Sequence, residues 1–411
     1  MAVNLNTGIV LEPMKEPAVS RGLRSYLNPE EIYVPCYKEK LRNIMRVSKD
    51  QPVYVYDDGM ALHAGINGRF VRDVTITNPD DTGRYFVYKN MIGFADVQKP
   101  QETDRMSITE ITAAAKAASI IDENDGVYLY KKLEYARKHG KKTLVVDCVE
   151  DEPYVSCMTN LLLKNQAELS AGIQLAVRAM QTDKACIAVY KQFDEFKTKI
   201  PKLLDNIRIK NIHGKYPLRY RLKYYFKEHD DIVTISAGAL VHLYRACKFS
   251  KPQTSCFVTV AGDCVSTPYN IEVTIGTPVR DLLQFCGLKQ EPDIVIYGGS
   301  MTGHRIEDLE QPIGHTTKAV LAMKTDIVEK KTACISCGRC NDICPQDLLP
   351  HFIYKYAESG VKHVLSRYNI DHCIECGCCS YVCPANMGVA ASIRRAKKLI
   401  GKEQASDKNG K

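Results

Sequence analysis

Hydrophobic and polar positions change their period several times along the chain. Residues 1–30 show no period and contain Pro13, Pro17 and Pro29, which is typical of an N-terminal arm. From residue 31 to 100 short runs alternate between apolar and polar positions, as in Val53–Tyr56 and Arg69–Ile76, and turns with glycine separate them. This pattern predicts a β-rich, barrel-sandwich-like region.

Residues 101–250 switch to longer segments in which helical and strand patterns alternate. The apolar spacing predicts helices over 108–121, 166–180, 193–204 and 237–247, and strands over 142–146, 185–190, 207–212 and 231–236. Strands that alternate with helices form a mostly parallel sheet covered on both faces. We therefore expect an α/β domain over 101–250.

The last third predicts two further units. Strand patterns at 257–261, 271–275 and 293–297, with a helix over 277–283 capped by Thr277, predict a β-grasp domain over 251–325. Residues 326–401 hold most of the cysteines and end in a basic helix over 389–400, and 402–411 read as a disordered tail. The predicted fold class is multidomain α+β.

The composition is that of a multidomain globular protein and indicates a reducing compartment. The chain has 411 residues, of which 45% are hydrophobic and 25% charged, which is ordinary for several globular domains. Seventeen cysteines, nine of them between Cys334 and Cys383, do not resemble a secreted disulfide scaffold. We find neither a signal peptide nor an apolar stretch of about 18 residues, so we expect a cytoplasmic protein in a reducing cell. The net charge of +8 comes without a nucleic-acid-binding motif.

Two cysteine runs carry the clearest chemistry. Cys334–Pro345 and Cys373–Pro384 both have the spacing C-x2-C-x2-C-x3-C-P, which is the bacterial signature for [4Fe–4S] ligation. A zinc site closes with four ligands, usually as two pairs, and does not explain two complete runs. Cys378 fits no ligand spacing and is interpreted as a spare thiol.

In two-cluster ferredoxins the fourth cysteine of each run ligates the other cluster. This rule predicts two ligand sets, which share cysteines between the runs. The first set is Cys334, Cys337, Cys340 and Cys383, and the second is Cys373, Cys376, Cys379 and Cys344. The shared ligation holds two [4Fe–4S] clusters close together for electron transfer.

The motifs resemble those of a known family in the family's order. The chain is similar to the C subunit of the Rnf electron-transport complex and its soluble relatives. The resemblance rests on the β region around Gly59–Gly68, Glu150–Tyr154, His213–Pro217, the segment from Val258 to Gly299 and the two cysteine runs. It implies a soluble-ligand-binding β-grasp (SLBB-like) domain. The chain also looks like the electron-transfer proteins associated with D-proline reductase in clostridia, which are soluble relatives of that subunit.

One departure from the family concerns the flavin loop. Where energy-conserving members carry G-x-G-G-x-G-F-P, this chain has Asp122-Glu123-Asn124-Asp125-Gly126. Three carboxylates with one glycine would repel a phosphate by about 1 kcal/mol each in water. The residues after Pro217 also depart, since Leu218-Arg-Tyr-Arg replaces the expected glycines and acid. We therefore expect that FMN and NADH are not bound.

The leading hypothesis is an electron-transfer component rather than a stand-alone enzyme, with no catalytic residue of its own. It would relay electrons from an unknown donor through both clusters to a partner reductase, and the resemblance implies D-proline reductase in Stickland fermentation. One alternative is a flavin-dependent, NADH-oxidising subunit of an Rnf-like complex. Another is a cobalamin reductase relative that holds a corrinoid in its β-grasp domain.

Cys148 and Cys157 flank the acidic motif at Glu150–Tyr154. They could form a redox-active dithiol that meets a partner's thiol or selenol. They could equally be buried free thiols. The sequence leaves both interpretations open.

Overall fold

The computed structural model describes residues 7–36, 44–79, 81–91, 93, 99–182, 184–190, 207–324 and 331–409. The chain is multidomain α+β, with N-terminal β-sheets, a parallel α/β sheet, a β-grasp domain and a C-terminal helical segment that carries the cysteine runs. This confirms the predicted fold class. Within these residues no helix is both long enough and apolar enough to span a bilayer.

The N-terminal arm is not irregular throughout. It contains helix α1 (Glu16–Arg21) and strand β1 (Leu23–Tyr26). Strand β1 pairs in parallel with a strand of the β-grasp domain at Tyr269–Thr274, so the arm is part of that domain's sheet. The sequence pattern missed this strand because its partner lies almost 250 residues away.

The β-rich region consists of two sheets. Strands β2 (Glu31–Pro35), β3 (Arg46–Val47), β6 (Gly68–Asn78) and β7 (Asp81–Asn90) form an antiparallel sheet of order β2-β7-β6-β3, and β4 (Pro52–Val55) pairs with β5 (Ala61–His63). Alternate residues of these strands, such as Ile32, Phe86 and Tyr88, are buried in a common core. The predicted strands are confirmed.

The α/β domain has a four-stranded sheet in which every pair is parallel. Its strands are β8 (Thr143–Cys148), β9 (Lys184–Tyr190), β10 (Arg208–Ile212) and β11 (Ile232–Ser236), in the order β10-β9-β8-β11. The accompanying helices are α2 (Ile108–Ala117), α3 (Leu129–Lys138), α4 (Cys157–Lys164), α5 (Gln166–Met180) and α6 (Ala237–Phe249). The parallel sheet is confirmed. Helices α3 and α4 were not predicted, and the predicted helix at 193–204 lies outside the described residues.

The β-grasp domain is a six-stranded mixed sheet with one helix. Strands β12 (Ser255–Ala261) and β13 (Tyr269–Thr274), both predicted, pair as an antiparallel hairpin. Strands β14 (Ile294–Gly298), β15 (His304–Ile306) and β16 (Ala319–Met323) complete the order β1-β13-β12-β16-β14-β15. Helix α7 (Val279–Cys286) begins after Pro278, so the prediction that Thr277 is its N-cap is wrong. No described side chain caps the helix, and the Thr277 hydroxyl donates instead to the Thr274 carbonyl oxygen. Its apolar face packs on the sheet with Leu282 and Leu283.

The cysteine-rich segment is built from short helices. These are α8 (Arg339–Asp342), α9 (Pro350–Glu358), α10 (Lys362–Leu365), α11 (Cys378–Tyr381) and α12 (Val389–Asn409). Buried Ile353, Ile370 and Ile393 form the centre of its small core. Helix α12 begins where predicted but continues to Asn409, into the segment that was predicted to be a disordered tail.

Candidate functional site

The cysteines surround two cavities, one for each predicted ligand set. Cys334, Cys337, Cys340 and Cys383 line the first cavity. Cys344, Cys373, Cys376 and Cys379 line the second, together with the extra thiol of Cys378. In each cavity three thiols come from one run and the fourth comes from the other run. Four thiols around one space are the donor set that a [4Fe–4S] cluster needs.

The two cavities differ in their exposure to solvent. Cys334 and Cys337 of the first set are exposed, whereas three thiols of the second set are buried. The second cavity lies against the rest of the chain: the Tyr216 hydroxyl donates to the Cys376 carbonyl oxygen at 2.8 Å. Burial and solvent access are two of the factors that set a cluster's reduction potential.

A second site lies at the carboxyl ends of the parallel strands of the α/β domain, where open α/β sheets bind their ligands. A cavity there is lined by a group of acids, by two cations and by apolar side chains. Its residues include Glu123, Asn124, Asp147, Glu150, Asp151, Glu152, Met158, Arg219, Phe257 and Lys318. We call this group the acidic cavity.

Three consecutive acids of the acidic cavity each bind a different part of the structure. Glu150 accepts the backbone N–H groups of Met158 and Thr159, at 2.8 and 3.1 Å, at the start of helix α4. Its backbone carbonyl oxygen accepts from Lys15 of the arm. Asp151 accepts the N–H groups of Leu218 and Arg219. The acidic motif therefore ties the arm, the α4 helix and the 216–219 loop together.

Glu152 connects the acidic cavity to the second cysteine cavity. Its carboxylate accepts the N–H groups of Met301 and Thr302, at 2.8 and 3.0 Å. The Met301 carbonyl oxygen in turn lies against Gly377, where a Cβ atom would come within 2.4 Å of it. Tyr216, which is two residues before Leu218 in sequence, also contacts Cys376. The acids are therefore connected to the second cysteine run twice, once through Met301 and once through the loop that contains Tyr216.

The loop at 122–126 does not present three free charges. The Lys132 ammonium lies 2.7 Å from a carboxylate oxygen of Asp122 and 2.7 Å from one of Asp125. Asp122 also accepts the Ser236 N–H at 3.0 Å. Glu123 accepts from the Ser236 hydroxyl at 2.7 Å at the start of helix α6. Every acid of this loop therefore has a partner within the protein.

Burial also changes the ionisation of this loop's neighbourhood. Burial first, and then the charge of Asp122, raises the pKa of Glu123. Burial raises the pKa of Asp147 to about 7, although the nearby Arg219 lowers it. A buried carboxyl that holds its proton at neutral pH can donate a hydrogen bond and adds no negative charge. The acidic cavity is thus less negative than its sequence suggests.

The two thiols of the dithiol hypothesis lie in the core. Cys148 ends strand β8 and Cys157 begins helix α4, and both are buried in the same apolar cluster. Cys157 Sγ contacts Thr259 Oγ1 and Asn270 Oδ1, both at 3.4 Å. Burial raises the pKa of both thiols, which disfavours the reactive thiolate. The redox role stays a prediction that this environment disfavours.

Comparison with family models identifies three segments of the chain. Residues 122–220 match the Nuo51 FMN-binding domain, residues 257–303 match the SLBB domain, and residues 326–384 match the 4Fe-4S dicluster domain. The β-grasp and iron–sulfur predictions are confirmed. The chain therefore combines segments similar to a flavin-binding domain, an SLBB domain and a two-cluster iron–sulfur domain.

Similar proteins include subunits C of ion-translocating oxidoreductase complexes. The subunit of Rhodobacter capsulatus is 30% identical over 316 residues, which cover 72% of this chain and 61% of that protein. The subunit of Yersinia pestis bv. Antiqua is 30% identical over 248 residues, which cover 56% of this chain and 40% of that protein. The chain thus spans less than two thirds of these relatives. An NAD+-reducing [NiFe]-hydrogenase structure covers 64% of the chain at 15% identity, with a TM-score of 0.47.

The expectation that FMN and NADH are not bound is wrong, because the FMN-binding domain model matches from Asp122 onwards, across the departing loop. The three carboxylates of the loop are not free charges. In the structure Lys132 pairs with two of them, and burial favours the neutral form of Glu123. The repulsion of a phosphate is correspondingly smaller.

The acidic cavity suits a flavin in its chemistry. Arg219 and Lys318 supply positive charge for a phosphate, the carboxyls and Asn124 supply hydrogen-bonding groups, and Phe257 supplies an apolar wall. The cavity has room for only one or two waters, about 30 Å³, which is smaller than a flavin. Lys132, Lys15 and Lys318 escaped the sequence analysis, because only the fold brings them to the acids. Arg219 lies in the Leu218-Arg-Tyr-Arg stretch, which was interpreted from the sequence only as a loss of the expected glycines and acid.

Proposed function

We propose that this chain is an FMN-dependent, NADH-oxidising electron-transfer protein whose electrons leave through two [4Fe–4S] clusters. The observation that carries the proposal is the contact between its two sites. The acidic cavity at the carboxyl edge of the α/β sheet is joined to the second cysteine cavity through Glu152 and Met301 and through Tyr216. A hydride-accepting site therefore lies next to a one-electron site within one chain.

In this proposal the second ligand set holds the cluster that receives electrons first. Its ligands are Cys344, Cys373, Cys376 and Cys379, and the ligands of the other cluster are Cys334, Cys337, Cys340 and Cys383. The support is the lining of the two cavities, each with its four predicted thiols and the second with Cys378 as well. Such clusters carry one electron at a time at potentials that burial and hydrogen bonds adjust.

FMN would be held in the acidic cavity, with Arg219 and Lys318 near its phosphate. When bound, it supplies the step that converts a two-electron hydride donor into single electrons. The protein's part is to fix and shield this site. The carboxylate of Glu150 holds the start of α4, and Asp151 holds the backbone N–H groups of Leu218 and Arg219, so the cation's backbone is fixed. Phe257 and Met158 exclude water from one side.

The test is anaerobic mixing of NADH with protein loaded with iron, sulfide and FMN. We expect the cluster absorbance to bleach rapidly with NADH, and to bleach far more slowly in protein loaded with iron and sulfide alone. Two variants test which of the two clusters receives electrons first. Cys376→Ala removes a ligand of the cluster held by the second set, and it should stop NADH-dependent reduction of the cluster held by the first set. Cys337→Ala removes a ligand of the first set and should leave the cluster of the second set reducible. Fully loaded protein that NADH does not bleach would refute the proposal.

The electron acceptor is a separate proposal. Because the similar proteins are subunits of ion-translocating oxidoreductase complexes, we propose that this chain also delivers electrons to a partner protein. The resemblance in sequence suggests D-proline reductase, and that identification remains a prediction. It is checked by NADH-dependent reduction of D-proline in a mixture of this chain and the purified reductase. A mixture that converts no D-proline, although NADH still bleaches the clusters, would exclude this partner.

A further inference from the structure

The two cysteine runs are structural copies of each other. Gly338 and Gly377 precede the short helices α8 and α11, and both have φ of 78° with ψ near −10°. Ser336 and Glu375 share a φ of about 54° and donate their N–H groups to Cys334 Sγ and Cys373 Sγ, both at 3.4 Å. The surroundings of the two runs can therefore be compared position by position.

The outer face of the second copy is covered by the chain itself. The Met301 carbonyl oxygen occupies the space beside Gly377, where it leaves no room for a side chain. The Tyr216 hydroxyl binds the Cys376 carbonyl oxygen. Ile374 packs on the apolar group that contains Ile9 and Tyr216. This covered face is where, in the proposed function, electrons enter the cluster segment.

The equivalent face of the first copy is open. Among the described residues, no atom lies within 4 Å of a Cβ placed on Gly338, although that glycine has the same left-handed conformation as Gly377. Ile335, the counterpart of Ile374, is 67% exposed. Cys334 and Cys337 are exposed as well. The open face therefore presents an exposed isoleucine in the same run as two exposed thiols of the first set.

The charge of the open face also differs from that of the covered one. Arg339 is exposed at the position where the second run has the fully buried Cys378. It is the one charged residue between Cys334 and Cys340. Nine lysines and arginines against five acidic residues lie between Lys331 and Lys398. An exposed Arg339, four residues after the exposed Ile335 in a segment of net positive charge, favours encounter with a negatively charged protein, although Asp342 on the same helix is exposed too.

We propose that the open face, defined by Ile335, Gly338 and Arg339, is the docking surface for an acidic one-electron carrier protein. The proposal rests on the proposed function in that the first cysteine set must hold a cluster. One electron leaves the reduced cluster, which returns to its oxidised state, and the carrier's metal gains that electron with no proton transfer. The carrier's surface takes the place that Met301 and Tyr216 take on the second copy.

The experiment uses full-length, cluster-loaded protein that has been reduced with dithionite and desalted, so that neither NADH nor FMN is needed. Two small one-electron carriers serve as probes: rubredoxin, which is acidic, and mitochondrial cytochrome c, which is basic. p-Benzoquinone, small and neutral, reports electron transfer that needs no docking. Arg339→Glu and Ile335→Ser alter the open face, and Lys138→Glu on the exposed surface of helix α3 makes the same charge change as the first of these elsewhere.

At low ionic strength we expect rubredoxin to be reduced about tenfold faster than cytochrome c. In roughly 1 M salt, where the Debye length is about 3 Å, the difference should vanish. Arg339→Glu should lower the rubredoxin rate about tenfold, and Ile335→Ser should lower it too, with the quinone rate unchanged in both. Lys138→Glu should behave like the wild type.

The proposal is overturned if Arg339→Glu and Ile335→Ser leave the rubredoxin rate unchanged. Should either variant lose iron, the wild-type protein decides the matter, since equal rates for the two carriers at low salt also overturn it. Protein that NADH fails to reduce, but that still prefers rubredoxin after dithionite, would refute the proposed function and leave the docking surface standing. Protein that binds no iron would refute both.

Discussion

Lys132 is the residue whose removal tests most sharply how the chain tolerates acids in its cofactor loop. Its ammonium lies 2.7 Å from both Asp122 and Asp125, and the Asp122 side chain is fully buried. Lys132→Met keeps the length of the side chain and removes the charge. The buried Asp122 carboxylate then loses its cation and keeps only backbone donors such as the Ser236 N–H.

The cost follows from the geometry. At 2.7 Å the attraction between two unit charges is about 6 kcal/mol at an effective dielectric constant of about 20. Part of this is offset because the variant no longer buries an ammonium. Breaking one side of a buried ion pair typically costs about 3–5 kcal/mol. Because Asp122 retains its backbone hydrogen bonds, we expect the lower end, about 3 kcal/mol.

The assay is urea unfolding followed by far-UV circular dichroism, since the chain has no tryptophan to report by fluorescence. The control is Lys131→Met, the exposed neighbour, whose ammonium lies 5.2 Å from the Tyr128 ring. It should cost about 1 kcal/mol or less. The double variant Lys132→Met/Asp122→Asn should recover part of the loss, because it leaves no buried charge unpaired.

The pH dependence of this pair has a definite sign. Burial alone would lower the pKa of Lys132, but the Asp122 and Asp125 charges more than offset this, so its pKa is raised above the ordinary 10.5. Its stabilisation is therefore complete below that pH and is lost as the pH rises through the folded-state value. The contribution of the Lys132 ammonium itself to the difference between wild type and Lys132→Met should stay constant between about pH 7 and 9, and any change in that window reports the ionisation of Glu123, whose pKa Lys132 lowers. If Lys132→Met unfolds like Lys131→Met, the loop acids are not neutralised by Lys132 and the explanation of the flavin match is wrong.

Three further predictions concern the two sites. Because the pKa of Glu123 is raised in the folded protein, the wild type should lose stability as the pH rises above the ordinary glutamate value of about 4.3. Glu123→Gln should flatten that decline in urea titrations at several pH values. An unchanged slope would show that Glu123 ionises normally. Gly377→Ala should abolish cluster loading, because its Cβ would come within 2.4 Å of a carbonyl oxygen, whereas Gly338→Ala should cost only about 1–2 kcal/mol of backbone strain and keep full iron content; equal iron in both would contradict the packing. Buried Cys148 and Cys157 should resist alkylation by iodoacetamide in native protein and react after unfolding, and rapid labelling of the native protein would revive the dithiol hypothesis.

Elements with strong local patterns were predictable from the sequence. The helix at Gln166–Met180 was predicted with its observed bounds, and the four parallel strands were placed within one or two residues. Strand β1 was not, because nothing within the arm marks it as a strand without its partner β13. Helix α4 was missed for a related reason, since the buried Glu150 side chain holds the first turn of that helix.

The site divides in the same way. The cysteine runs carry their ligand spacing within twelve residues each, so the sequence alone predicted the two groups of four thiols that line the cavities. The ionisation of the acidic loop depends instead on Lys132, ten residues after Asp122 on a different element, and on burial that only the folded chain produces. Counting charges in the sequence therefore led to the wrong conclusion about FMN and NADH.

The most direct test of the account is the cofactor content of protein purified without oxygen. Iron, acid-labile sulfide and releasable flavin are measured per chain in the same sample, before and after incubation with FMN and dialysis. The account predicts about eight irons, about eight sulfides and about one FMN. About eight irons with no flavin, even after incubation with FMN, would contradict it and would make the chain a two-cluster carrier that needs a separate donor.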